Sequence, residues 1–477
     1  MDELLSTLYS ALPFLAVAAL ATLAVIGIGI GMVQPRLLVY PYLAVYFLVN
    51  STSYGNLAVV ATGAGVYSRG SGVLYFALLL WYMLGAWCCA RISSNFRGLT
   101  GAPACNLRPW FLGWLVLLLA HVAVALFVGT PLAAALAPNG FAHIVWMAPL
   151  VSLLLLTFRS GAQAVELARF IVLAGLGRAL FGLGRWALAG GDPNNVYANM
   201  NDVQIKLTFF DINDSLLCTL AFAIAAVQLF QGAKVARPRG WIAIEWLTLA
   251  ATALCIVLSF RRSAWIGLLL AAAVLIWRFP LRRRLQLLAL GLPLMAPALG
   301  YAALTRLSQT KGAGAGLASM VYDMQSRRFG AESERVLELK LALADFLAHP
   351  LTGIGSWGRY SGYQRIAWQG GADGGQFIHS GILHIGLKSG LPGLVLLAGT
   401  AWAFIHFSRR ALRVLPPELL GLGAAGVAGM AFMLPDILFG TPFPQVRTSQ
   451  MMALCLALPY LALGAADPAR ARPAPAG

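Results

Sequence analysis

Charge is what this sequence has least of. Only 11% of its 477 residues are Asp, Glu, Lys or Arg, where soluble domains carry about 25%. A chain that poor in charge cannot coat a water-facing surface, so an ordinary soluble globular protein is excluded. Disorder is excluded as well: 59% of the residues are hydrophobic and the mean hydropathy is +0.76, whereas unfolded segments are rich in charge and poor in apolar groups. Carboxylates are the scarcer sign, 17 against 34 Lys and Arg. The resulting +17 is scattered in short clusters, which excludes the basic stripe of a nucleic-acid binder. The six cysteines show no CxxC spacing, and all but Cys105 lie inside apolar runs (Cys88, Cys89, Cys218, Cys255 and Cys455). Neither a disulfide framework nor a zinc knuckle fits them. HExxH, GxSxG, a Walker loop and a GxGxxG at a strand-to-helix turn are missing too, and with them the common metalloprotease, hydrolase and nucleotide chemistries.

What is present is apolar length. Runs lie near 12–32, 37–50, 72–90, 109–129, 143–158, 169–188, 214–230, 240–260, 263–280, 285–305, 390–408, 419–435 and 449–465. Most approach the ~20 residues that cross a hydrocarbon core of roughly 30 Å. The expected fold is an all-α polytopic integral membrane protein with about 12–14 transmembrane helices. The first run has no basic n-region or small-residue cleavage site and reads as a retained anchor. Alternate loops share Lys and Arg unequally: 18 fall in the set that begins with Arg36, and five in the short loops of the other, Arg69, Lys206, Arg261, Arg262 and Arg447. The positive-inside bias puts the larger set in the cytoplasm. The expected organisation is transmembrane helices over 1–305, a large outer loop with a re-entry helix over 306–389, further transmembrane helices over 390–465 and a cytoplasmic tail over 466–477.

The outer loop is too long for a connector. Lys311–Gly316 reads as flexible. Glu332 to Ala348 reads as a helix with Val336, Leu339, Leu343, Phe346 and Leu347 toward one side, ended by His349-Pro350. Leu351 to Gly375, rich in glycine and aromatics, suits a folded surface near the bilayer. His379 to Lys388 reads as a second short helix, stopped by Ser389-Gly390-Leu391-Pro392-Gly393.

Three features there carry chemistry. Arg261-Arg262 interrupts two apolar runs in a tight outer turn. Snorkelling to headgroups is the plain explanation, yet the charge bias disfavours a basic pair on that face, and a bound anion supplies a reason for it. Arg335 falls in the first turns of the loop helix, facing the positive end of its dipole. It either pairs with Glu332, Glu334 or Glu338 or shares an anionic ligand with the helix N-terminus. His379 stands where the loop re-enters the membrane, and cations near it favour the neutral imidazole that a general base requires. His379 and His384 are five apart and Asp211 with Asp214 makes a weak ligand pair, so metal catalysis is disfavoured. Arg178, Arg185 and Glu245 inside apolar runs are either paired structural ions or marks of a transport pathway.

Together these motifs resemble the O-antigen ligase and polymerase superfamily. Phe260-Arg-Arg-Ser-Ala-Trp-Ile-Gly267 is similar to its Arg-small-Ala-aromatic helix start. Glu334-Arg335, followed by His349-Pro-Leu-Thr-Gly-Ile-Gly355, resembles its loop helix and Pro-Leu-x-Gly-x-Gly turn. His379-Ser380 through Gly390 to Gly393 resembles its His-Asn signature, with Ser380 where the family usually has Asn, and Phe210-Asp-Ile-Asn213 is weakly similar to an upstream outer element. The resemblance implies a glycosyltransferase of the GT-C type in a bacterial inner membrane, metal-independent and inverting, with no cofactor. It implies that Arg262 and Arg335 hold the diphosphate of an undecaprenyl carrier and that His379 activates an acceptor hydroxyl. Arg261, Asn213, Arg359, Arg365, Ser380 and Arg447 are secondary donor or acceptor contacts in that reading. The implied partners are an undecaprenyl-diphosphate-linked glycan, a lipid A-core sugar or a second carrier-linked glycan, and membrane lipids, with no nucleic acid. A lipid or sugar transporter is the alternative from another class.

Overall fold

The computed structural model describes residues 22, 25–50, 67, 75–97, 105–193, 205–231, 237–309, 334–366, 369 and 374–467. Most of the first apolar run, Lys311–Gly316, Glu332, Arg69 and the tail beyond residue 467 lie outside these. In lipid a spanning segment must close its own backbone hydrogen bonds, and each predicted run from residue 37 onward is a helix. They are α1 (Arg36–Leu48), α2 (Leu78–Phe96), α3 (Arg108–Phe127), α4 (Met147–Thr157), α5 (Gly161–Leu188), α6 (Ile212–Gln231), α7 (Arg239–Val257), α8 (Arg262–Trp277) and α9 (Leu281–Gln309). The loop helix α10 (Glu334–Ala348) follows, then α11 (Gly381–Val414), α12 (Pro417–Phe439) and α13 (Val446–Ala466). Seven of them, α3, α5, α6, α7, α11, α12 and α13, are long and apolar enough to cross a membrane. The pair Val25–Val33 and α1, bent by 112°, can make an eighth span. Among the described residues the fold is all-helical, and the chain is a multi-pass membrane protein.

Small residues let these helices approach closely, as membrane helix interfaces require. α12 is the central column. A Cβ on Gly267 of α8 would strike the α12 carbonyl of Phe432, and one on Gly426 of α12 would meet the α13 carbonyl of Cys455 at 2.5 Å. Gly175 of α5 faces Ala221 of α6 in the same way. Within α5 the start is fixed by a capping box: the Ser160 hydroxyl accepts from the Gln163 amide, and the Gln163 side chain accepts from the main chain of Ser160.

Described members of the larger basic set lie toward one end of the bundle. Arg36 pairs with Glu166 at 3.1 Å, Arg159 donates to the Ser94 hydroxyl at 2.6 Å, Arg169 lies over Trp241, and Arg278 donates to the Leu412 carbonyl at 2.5 Å. The 16 residues of α8 separate Arg278 from the Arg261-Arg262 corner by roughly 24 Å at 1.5 Å per residue. The candidate site residues lie at the corner's end.

α11 is two helices that meet at Gly390, whose φ of 66° and ψ of −160° are not helical. The break frees backbone groups, and the Pro350–Gly355 turn satisfies them. The Ile354 amide donates to the Leu387 carbonyl at 2.8 Å, and the Leu391 amide donates to the Pro350 carbonyl at 2.7 Å. Only glycine fits this knuckle. A Cβ on Gly353 would sit 2.5 Å from the Leu387 carbonyl oxygen, and one on Gly390 2.5 Å from that of Leu351. Pro392 falls in the first turn of the second half, where a missing N–H is harmless. Its partner helix α10 buries Glu338 and Ala342, while Leu343 and Leu347 are 45% and 65% exposed. Of the apolar stripe read from the sequence, Leu343 and Leu347 therefore point away from the protein, whereas Val336, Leu339 and Phe346 are half-buried and Phe346 faces Gly386 of α11.

Candidate functional site

The Arg261-Arg262 corner is built by capping the end of α7. The Thr208 hydroxyl donates to the Cys255 carbonyl at 2.7 Å, the Thr208 amide to Leu258 at 3.1 Å, and the Trp265 indole to Val257 at 2.8 Å. These donors satisfy carbonyls that a helix end leaves open. The chain then turns through buried Phe260 at φ 53°, a left-handed conformation rare for a bulky residue. Arg261 N-caps α8 and Arg262 is its first residue. The Arg261 guanidinium donates to the Phe210 carbonyl, lies over the Phe210 ring and stands 4.0 Å from the Asp436 carboxylate.

Asp436 joins the parts. It ends α12, is 9% exposed, and interacts electrostatically with Arg261, Asp211, His379 and Arg335. Arg261 reaches this carboxylate at 4.0 Å, and Arg335 of α10 and His379 just before α11 lie within range of its charge. Gly381 makes the approach feasible, since a Cβ there would lie 2.9 Å from the Ile437 carbonyl oxygen and 3.0 Å from the Phe443 ring. Ser380 caps the N-terminus of α11, its hydroxyl accepting from the Leu383 amide at 3.4 Å.

His379 itself is held by α10. Glu338 Oε2 accepts from the His379 main-chain amide and lies against its Nδ1, each at 2.9 Å. Gln369 Nε2 donates to Glu338 Oε1 at 2.8 Å. Glu338 is fully buried, whereas the His379 side chain is 24% exposed. Burial pushes the Glu338 carboxyl up, but the bonds from the His379 ring and main chain and from Gln369 outweigh it and hold the group below the ordinary glutamate range. Glu338 was weighed above as a partner for Arg335; its carboxylate instead grips the histidine.

Beneath this layer lies a buried quartet of charges. Arg447 pairs with Asp211 and Asp214, each at 2.8 Å, and Arg178 pairs with Asp214 at 3.0 Å. Both arginines also serve the last carbonyls of α1: Arg447 donates to Tyr46 at 2.8 Å and to Phe47 at 3.3 Å, Arg178 to Leu48 at 3.0 Å. Cations suit that negative helix end. Arg447 is 0% exposed, so it braces the fold where a substrate contact was expected. Asn213 is equally buried, with its amide donating to Asp211 at 2.7 Å and Thr448 at 2.9 Å. The other charges inside apolar runs are paired as well, Arg185 with Asp192 at 3.0 Å and Glu245 with Arg237 at 2.5 Å. Arg359 and Arg365 are exposed, and Arg359 turns to the Tyr363 hydroxyl at 3.3 Å.

Sequence reading missed Asp436 and the work of Glu338 and Gln369. Asp436 had a signal, a lone carboxylate at the end of the apolar run 419–435, and ionisable groups at such places are functional candidates. Gln369 had none, since its role depends on how the loop folds back.

A comparison with curated proteins gives no match. The family model described as O-Antigen ligase (Wzy_C) matches residues 247–398, a stretch that contains Arg261, Arg262, Arg335 and His379 and stops short of Asp436 and Arg447. Over that stretch, and on a helical membrane fold, the chain is similar to the O-antigen ligase superfamily.

Proposed function

We propose that this protein transfers a glycan from an undecaprenyl diphosphate carrier to an acceptor hydroxyl at the periplasmic face of the bacterial inner membrane. The observation that carries the reading is Arg261 standing 4.0 Å from Asp436, with Arg335 and His379 within electrostatic reach of the same carboxylate. Glycosidases need a carboxylic acid to protonate a poor alkoxide leaving group. A diphosphate departs as a stable anion and needs fixed positive charge instead, which contributes several kcal/mol in a water-poor site. Arg262 and Arg335, both in the first turn of a helix, supply that charge together with the helix N-termini, and Arg261 adds to it.

His379 is the base. It takes the proton as the acceptor O–H bond breaks, the oxygen bonds to the anomeric carbon, and the carbon–oxygen bond to the diphosphate breaks with its electron pair leaving on the diphosphate. A single displacement of this kind inverts the anomeric centre. The exposed edge of the ring suits the role, and a positioned base is worth about 10²–10⁴-fold. The acceptor is a lipid A-core sugar in a ligase and a second carrier-linked glycan in a polymerase. Against transport stands the pairing of Arg178 with Asp214, Arg185 with Asp192 and Glu245 with Arg237, which neutralises those charges locally.

The test is transfer by purified protein from an undecaprenyl-diphosphate-linked glycan, with each acceptor offered in turn. His379→Ala is expected to lower the rate at least a hundredfold while the protein still inserts and donor still binds. Arg262→Ala and Arg335→Ala are expected to weaken donor binding. Full transfer by the histidine variant sinks the assignment.

A further inference from the structure

We infer that Glu338, backed by Gln369, is the positioning residue of His379, fixing both the place of the imidazole and the tautomer it presents. This rests on the reading of His379 as the base. The observation behind it is a double grip. One oxygen, Glu338 Oε2, meets the main-chain amide and Nδ1 of the same residue, each at 2.9 Å. The main-chain bond fixes where the residue sits, and the ring bond fixes how it is turned. A carboxylate only accepts, so Nδ1 carries the hydrogen and Nε2 keeps the lone pair. The ring nitrogen able to accept a proton is then Nε2.

The grip is itself held. Gln369 Nε2 donates to Glu338 Oε1 at 2.8 Å and to the Phe377 carbonyl at 3.1 Å, and its Oε1 accepts from the Gly375 amide at 2.9 Å. A flipped amide would set oxygen against two acceptors, so this orientation is fixed by its partners. Glu338 and Gln369 are 0% and 1% exposed, next to an apolar cluster of Ala342, Tyr360, Ile366, Ile378 and Leu387. In such surroundings a charge-assisted hydrogen bond is stronger than in water. When the base takes its proton, the imidazolium forms against a carboxylate already in place. Glu338 stands one turn after Arg335 on α10, so one rigid helix sets a cation and, through Glu338, the base.

A merely structural anchor makes a different prediction from a positioning residue, and a double-mutant cycle separates them. Transfer is measured with purified wild type, Glu338→Gln, Glu338→Asp, His379→Ala and Glu338→Gln/His379→Ala, using an undecaprenyl-diphosphate-linked glycan and the acceptor that supports turnover. Glu338→Gln is expected to lower kcat about a hundredfold, within the range a positioned base contributes, with the donor KM unchanged within threefold. Glu338→Asp is expected to keep at least a tenth of the wild-type kcat, because a carboxylate still faces the ring. The double variant is expected to be no slower than His379→Ala alone. The inference is overturned if Glu338→Gln keeps kcat within threefold while His379→Ala is crippled, or if the two losses multiply. Should His379→Ala be fully active, the base assignment fails first and this inference with it. If Glu338→Gln does not insert, Gln369→Ala decides: a kcat-only loss of about tenfold supports the inference, and an unchanged kcat overturns it.

Discussion

The Gly390 knuckle offers the most direct physical test of the fold around the site. Replacing Gly390 with Ala puts a side chain at φ 66° and ψ −160°, a region that is essentially glycine's alone and costs of order 1–3 kcal/mol. The new Cβ would also lie 2.5 Å from the Leu351 carbonyl oxygen and 2.8 Å from that of Pro350. These are backbone atoms and cannot swing aside, so the turn must lift. Lifting it strains the two bonds that bridge the break, Ile354 to Leu387 and Pro350 to Leu391, each worth about 0.5–1.5 kcal/mol. The sum is about 2–6 kcal/mol, and its lower end is close to thirtyfold in an equilibrium constant at 1.4 kcal/mol per factor of ten. Hydrogen exchange at the Ile354 and Leu391 amides reads this local opening. Protection at both is expected to fall thirtyfold or more in Gly390→Ala and in Gly353→Ala. The double variant is expected to lose less than the sum, because both substitutions open one contact. Unchanged protection at these amides would falsify the account of the knuckle.

Three further predictions concern charge and packing. Arg447→Met takes the paired arginine from Asp211 and leaves Asp214 with Arg178, and is expected to destabilise by about 3–5 kcal/mol, seen as a lowered thermal midpoint in detergent; Asp211→Asn added to it restores part of the loss. Because Glu338 is held below the ordinary glutamate range, its contribution is present above the unfolded value near 4.3 and is lost as pH falls through the folded one. Protection of the His379 amide, corrected for intrinsic exchange, is therefore expected to hold from pH 8 to about 5 and to drop only below the ordinary range near 4.3; a fall near neutrality would count against it. Gly267→Ala forces α8 off α12 and is expected to cost about 1–3 kcal/mol, while Gly240→Ala, with open space around it, leaves the thermal midpoint unlowered.

The helices were legible because lipid makes the signal strong: a segment with no water partner must bond to itself, and its length is set by the hydrocarbon. The site's ingredients were legible where they broke that pattern, as Arg261-Arg262 does between two apolar runs. Periodicity on α10 marked the helix, yet the side facing the protein is the one with Glu338 and Ala342. Periodicity alone does not say which side faces the protein, and the apolar stripe is split, with Leu343 and Leu347 exposed and Val336, Leu339 and Phe346 half-buried. The pairing of Glu338 with His379 spans 41 residues and depends on the loop folding back, which no local pattern encodes. Arg447 misled for a related reason. An arginine on the disfavoured side of the charge bias can be ligand-seeking or locked in a quartet, and only the positions of Asp211 and Asp214 decide.

The four-charge brace also has a consequence for biogenesis. Two of its members, Asp211 and Asp214, emerge early, whereas Arg447 belongs to the final helix. Until α13 inserts, Asp211 lacks the arginine that pairs with it and the carbonyls of Tyr46 and Phe47 lack the donor that closes α1. α1 is therefore locked only once α13, distant in the chain, has packed against it.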